Sequence, residues 1–292
     1  MPVRIIAIVC VSLLWANCTN LANDSLKTPA ERSASNKNGP KQTANAKPSF
    51  DRKSSNGLGD RKPIDPDHPM HKALRHAYSI QEAMKEVQDY EASFSKRVNI
   101  QGKVVAETMH MKVREKPFSV YLKYAKPHQG REVLFIDGQN GNKLLAHETG
   151  FKGLAGTIEL APNSKLAMEG NVYPITEIGI SKLIHQVTDH WEMLLEQGDC
   201  RVQFYPNAKL GETPCIAIEV AAPTAVDGVR YHLWRLYFDK RENVPVHVEL
   251  YGFPRRQGEQ PPLLEEYTYS QIRLNIGLTD HDFSTKNAAY RF

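Results

Sequence analysis

Two stretches of the chain repeat apolar residues with a helical period. Met70, Ala73, Leu74, Ala77, Tyr78, Met84 and Val87 form the first, and the stripe weakens at Gln81. Pro69 suits a first-turn position, and Asp67 upstream is the candidate cap. Ile180, Leu183, Ile184, Val187, Trp191, Leu194 and Leu195 form the second, at offsets 0, 3, 4, 7, 11, 14 and 15, with Gly198 as its stop. Each predicted helix has one apolar face, so each must lie on another layer.

The other layer is predicted to be strands. Runs near 93–100, 103–114, 117–125, 131–137, 142–148 and 156–161 lie between the helices. Runs near 200–205, 215–221, 229–239, 244–252 and 263–274 follow the second. Gln101-Gly102, Asp137-Gly138 and Asn140-Gly141 supply turn chemistry. Phe118, Val120, Leu122 and Tyr124 share one face, opposite Ser119, Tyr121 and Lys123. Val246, Val248 and Leu250 likewise oppose His247, Glu249 and Tyr251. Successive strands without intervening helices mean antiparallel meanders. The predicted class is therefore α+β: a large curved antiparallel sheet of ten or eleven strands, a half-open barrel, with helices packed on its concave side. Val133–Ile136 and Tyr231–Phe238 are apolar or aromatic on both faces, which calls for burial on both sides or an apolar cavity.

The first residues read differently. Met1–Arg4 is a positive start, and Ile5–Trp15 is an apolar run of eleven residues, short of the roughly 20 needed to span a bilayer. Small and polar residues follow, so 1–22 is expected to be a secretory signal peptide. Leu14-Trp15-Ala16-Asn17-Cys18 partly matches a bacterial lipobox, which makes Cys18 the lipidation candidate and the N-terminus a route to a membrane. Asn17 and Trp15 depart from that pattern, and ordinary cleavage after Ala16, Cys18 or Ala22 is the alternative. Residues 23–66 are rich in Ser, Asn, Lys, Gly and Pro and hold one aromatic, Phe50, so they read as a disordered basic linker before a globular domain at 67–292. The formal charge of +4 belongs to this region. Of 37 basic and 33 acidic residues, nine and five fall in 23–66, and Arg4 precedes them. That leaves 27 against 28 in 67–292, so a nucleic-acid-binding face is not supported.

Candidate chemistry is sparse. Ser181, His185 and Asp189 have triad residue types, but their i, i+4, i+8 spacing puts them in a row on the polar side of one helix. His68, His71 and His76 stand near Asp65 and Asp67 without a recognised ligand spacing, and the other histidines are scattered, so no metal site is assigned. Gly150, Gly153 and Gly156 lack the βαβ context of a nucleotide loop and read as a loop at the sheet edge. Cys200 and Cys215 flank a hairpin turn expected at Pro206-Asn207 and are the disulfide candidate. Their faces disagree in register unless Pro214 carries a bulge. Tyr290-Arg291-Phe292 echoes the ending of outer-membrane barrels, but Ala288, Lys286 and Ser284 do not make a lipid-facing row.

Residues 104–148 run strand, Arg114-Glu115-Lys116-Pro117-Phe118, strand, Ala125-Lys126-Pro127, strand, Ile136-Asp137-Gly138, strand. This order resembles the early sheet of the LolA/LolB lipoprotein carriers. More closely, 70–292 looks like an uncharacterised bacterial envelope family, domain of unknown function 1571, grouped with that fold. Lys112-Val113-Arg114 with Pro117–Leu122, Pro174-Ile175 before Gly179, and Asp282-Phe283 carry that likeness. The resemblance implies helices as a lid over an apolar cavity, which in the carriers holds lipoprotein acyl chains. Arg114 lies near a basic position of the carrier pattern and is given no role.

The expected function is that of an exported, non-enzymatic envelope module of the periplasm. It binds an apolar ligand, a lipid or lipoprotein acyl chain, and serves lipoprotein trafficking. The candidate cavity residues are Phe118, Tyr124, Phe135, Trp191 and Trp234, and no cofactor is expected. The alternative is a structural or interaction protein with a filled core.

Overall fold

The computed structural model describes residues 64–150, 153, 156–197, 199–225, 228–256 and 258–292. The expected signal peptide, Cys18, all but the last three linker residues, and Gly198 lie outside the described residues.

Helix α1 spans Met70–Met84 and buries Met70, Ala73, Leu74, Ala77, Ile80, Gln81 and Met84. The expected cap, Asp67, does not serve. Pro69 holds the N-cap position, and the Met70 amide donates instead to His68 Nδ1 at 3.1 Å. Asp67 is turned back on itself, its amide bonded to the Asp65 carboxylate. Helix α2 spans Ile180–Gln197. Its first amide donates to the Tyr90 hydroxyl at 2.8 Å, and a side chain at Gly179 (φ 117°) would collide with that same hydroxyl. Among the described residues no helix is long and apolar enough to cross a membrane.

Eleven strands form one sheet. They are β1 (Asp89–Ile100), β2 (Lys103–Arg114), β3 (Ser119–Lys126), β4 (Glu132–Ile136), β5 (Leu144–His147), β6 (Thr157–Leu160), β7 (Arg201–Leu210), β8 (Thr213–Ala221), β9 (Leu233–Asp239), β10 (Pro245–Tyr251) and β11 (Leu263–Leu274). Their spatial order is β6-β5-β4-β3-β2-β1-β11-β10-β9-β8-β7. Every pair is antiparallel. The chain thus builds one meander outward from β1, crosses by α2, and builds a second meander back to β1. The short turn at Gln101-Gly102 has φ of 54° and 85°, the positive pair that a two-residue hairpin requires. The edges are β6 and β7, which do not pair with each other, so the barrel stays half open.

Both helices cover the same face. Buried residues of α1, α2, β1–β3 and β8–β11 join in one apolar cluster that runs from Tyr124 to Cys215. Lys72 of α1 lies over the Phe204 ring of β7, and Lys182 of α2 over the Phe118 ring before β3. A two-helix layer reaches from β7 to β3 in this way because the sheet curls around it.

The convex face is covered too, by the chain's last residues. The Asp89 carboxylate accepts the amides of Ile276, Gly277 and Leu278 at 2.8–3.1 Å. Lys112 pairs with Asp282 and Arg114 with Asp280, each at 2.7 Å. Tyr290 then stacks on Tyr121 at 3.9 Å between ring centres. The tail buries Tyr121, Leu134 and Phe283. This accounts for the two-faced apolar pattern of Val133–Ile136 and for the aromatic ending. Arg114 faces this tail and not the concave side.

Candidate functional site

The concave face holds two apolar compartments. Under the helices lie Trp191, Trp234, Leu236 and Phe238 with the rest of the large cluster. Under residues 161–179, which run from β6 to α2, lies a smaller one. Phe135, Leu144 and Ala146 form its floor, with Phe118, Val133, Ile158 and Leu160 at its sides, and Ala167 and Ile175 close it from above. Pairing fixes these faces: Val120 opposes Phe135, Val133 opposes Ala146, and Ala146 opposes Ile158.

The 161–179 cover is pinned by polar groups that the apolar rows of the sheet do not otherwise contain. Lys96 shares the concave row of Phe94 and Val98 on β1, and Glu107 shares that of Met109 and Met111 on β2. They oppose each other and form a buried ion pair at 2.8 Å. The Lys96 ammonium also donates to the Gly170 carbonyl at 2.9 Å and to the Asn171 side chain. Burial holds the Lys96 amine below its ordinary value in spite of Glu107. Asn171 in turn donates to the Ala167 and Glu169 carbonyls.

A second anchor stands three residues further along the cover. The Tyr173 and Tyr231 hydroxyls are 2.9 Å apart, and Tyr231 donates to Glu265 Oε1 at 2.6 Å. Tyr267 donates to Glu265 Oε2 at 2.9 Å, and Arg230 pairs with Oε1 at 3.1 Å. The Glu265 side chain has no exposed surface. Burial raises its carboxyl above the ordinary value, and Arg230 and the tyrosine hydroxyls offset only part of this. Lys96 pairs in register with Tyr267, and Val98 with Glu265, so the two anchors belong to one polar band.

The five expected cavity residues are not brought to one open space. Phe118 and Phe135 meet in the smaller compartment, 6.4 Å apart. Trp191 and Trp234 sit in the larger one at 0% and 1% exposure, so no water-sized gap borders either. Tyr124 stands at the margin with Arg131 over its ring. Both tryptophans are packed among the side chains of the larger cluster. A depression of about 350 Å³ lies on the convex side between Leu134, Lys143, Leu145 and Phe283.

Other candidates resolve as structure. His185 Nδ1 lies 2.7 Å from the Ser181 backbone carbonyl, so its ring is bonded within the helix and does not activate a hydroxyl. His68 is spent on capping, and His76 packs edge-on against Phe238 at 4.7 Å, where burial lowers its basicity. Gly150 and Gly156 are left-handed turn positions between β5 and β6. The disulfide expectation is corrected: Cys200 and Cys215 are both free. Pro206-Asn207 is a bulge inside β7, and the turn comes at Gly211-Glu212. Cys215 therefore opposes Ala208, while Cys200 lies beyond the Arg201–Ala221 pair, some 20 Å along the ladder.

Sequence reasoning missed Lys96, Glu107, Tyr173, Arg230 and Glu265. The signal was available in part, since Lys96, Glu107 and Glu265 each interrupt an apolar alternation. The partners from 161–179 carry no period and could not be placed.

The chain is similar to the MucA/MucB complex of Pseudomonas aeruginosa, at 15% identity over 73% of this chain and 60% of that one, with a TM-score of 0.42. It is similar to the lipoprotein LppX of Mycobacterium tuberculosis, at 12% identity over 72% and 98% and a TM-score of 0.41. It is also similar to a LolA superfamily protein of Nitrosomonas europaea, at 16% identity over 71% and 97% and a TM-score of 0.26. Among curated proteins none matches. The model of one family, described as protein of unknown function (DUF1571), matches residues 87–292, and the chain belongs to that family.

Proposed function

We propose that the protein is an exported, non-enzymatic module of the bacterial envelope that takes an apolar chain, from a lipid or a lipoprotein, onto its concave face. The observation that carries this reading is the cover at 161–179. It is an irregular segment laid over Phe118, Phe135, Leu144 and Ala146 and tied to the sheet by polar contacts to Lys96 and Tyr231. A cover of that kind can lift without dismantling the sheet, and it would leave an apolar strip in its place. Burying ten methylenes there contributes on the order of 8 kcal/mol before ordering costs. The resemblance of 104–148 to the lipoprotein carriers supports the acyl-chain reading. The apolar start at Ile5–Trp15 supports export, and Cys18 supports a membrane tether.

A second reading has its own observation. Trp191 and Trp234 have no free space beside them, which suits a structural envelope protein with a permanently filled core. Native mass spectrometry of the purified chain, with lipid extraction and uptake of a fluorescent fatty acid, separates the two. Ligand binding is expected to show co-purifying lipid or saturable uptake, and the absence of both would leave the structural reading.

A further inference from the structure

The convex face of β9–β11 carries a separate cluster that the lipid reading does not use. His247 on β10 is directed outward and is nearly buried. Its Nε2 lies 3.3 Å from Glu249 Oε1 and 4.0 Å from Glu266 Oε1. Glu249 and Glu266 are direct partners across β10 and β11, so two carboxylates face each other where like charges repel.

The remaining polar atoms of all three side chains are already tied. Glu249 Oε2 accepts from Arg235 and from the Tyr251 hydroxyl, each at 2.8 Å. Glu266 Oε2 faces Arg97 at 3.5 Å. His247 Nδ1 lies 2.8 Å from Thr268 Oγ1, and the Tyr237 ring packs on the imidazole at 5.3 Å. His247 Nε2 faces the Oε1 atoms of Glu249 and Glu266; with Nδ1–H donating to Thr268, it presents a lone pair to them in place of the N–H that would bond Glu249. One nitrogen and two oxygens thus converge within 4.8 Å of one another. Ligands at about 2.1 Å from a tetrahedral ion stand about 3.4 Å apart; the His247–Glu249 pair already has that spacing at 3.3 Å, and Glu266 has to move inward from 4.0 Å to complete it. Glu219, Glu249 and Glu266 against Arg97 and Arg235 leave one negative charge when His247 is neutral. A dication is then electrostatically admissible.

We propose that His247, Glu249 and Glu266 form a site for a divalent ion of the zinc class, with water completing the shell. The imidazole selects a borderline cation over calcium or magnesium, which take oxygen ligands. The ion would staple β10 to β11 and relieve the facing carboxylates.

The test is calorimetric titration of the EDTA-treated full chain with zinc chloride. One ion is expected to bind at this site, and binding is expected to weaken at least tenfold in His247→Ala and in Glu266→Gln. The second variant keeps a half-exposed position nearly isosteric and decides the matter if the first unfolds. A His68→Ala/His71→Ala double variant is expected to bind as the parent does, and zinc is expected to raise the melting temperature of the parent but not of Glu266→Gln. No binding, binding unchanged in Glu266→Gln, or binding lost in the His68/His71 variant would overturn the proposal.

Discussion

Glu265 shows how one residue ties the cover to the sheet. Its carboxyl, ordinarily near 4.5, is raised by burial more than Arg230 and the hydroxyls lower it. The folded chain then holds the proton more tightly than the unfolded chain. Its stabilising contribution is complete below pH 4.5 and is lost as pH rises through the raised value. Relative to Glu265→Gln, the parent is expected to lose stability as pH rises above 4.5, measured by urea unfolding across pH. A difference that stays flat with pH would contradict this. Lys96, Glu107 and Glu265 were legible as charges in apolar rows, but their partners were not. Residues 161–179 have no period, and only the folded chain shows that Gly170, Asn171 and Tyr173 lie above those charges.

At the scale of elements, period was a sufficient guide wherever one face of an element is buried. Both helices and all eleven strands follow their apolar spacing, with ends displaced by a few residues. Failures came where a second layer acts from outside the element. Tyr121 reads as a residue of the wet face of β3, yet the C-terminal tail buries it. The tail depends on Asp89, whose carboxylate takes three backbone amides. Asp89→Ala is expected to cost about 2–3 kcal/mol in chemical denaturation and to open the chain after Leu274 to limited proteolysis. An unchanged midpoint and cleavage pattern would remove the tail from the account. The β7–β8 hairpin failed for a different reason. Pro206-Asn207 has turn chemistry but is absorbed as a bulge, which moves the turn to Gly211-Glu212 and separates Cys200 from Cys215. Thiol titration of the denatured, unreduced protein, with the products mapped by mass spectrometry, is expected to find both cysteines reactive. A peptide linking the two would restore the disulfide.

At the scale of the whole molecule, two meanders joined at β1 and β11 make a half-open barrel whose concave side is divided. The part under α1 and α2 is a filled core, and Trp191 and Trp234 belong to it. The part under 161–179 lies beneath the irregular segment proposed to lift, and Phe118 and Phe135 border it. The five aromatics read from the sequence as one cavity therefore divide, with Tyr124, Trp191 and Trp234 in the larger cluster, Phe135 in the smaller and Phe118 touching both, because strand alternation reports a face and not what lies above it. The most direct measurement is photo-crosslinking of the full chain with a fatty acid carrying a photoreactive tail, mapped by peptide mass spectrometry. The account expects labels on residues flanking the smaller compartment, Phe118, Phe135, Ile158 and Ile175, and competition by unlabelled fatty acid. Labelling that is absent, not competed, or confined to the convex face would contradict it.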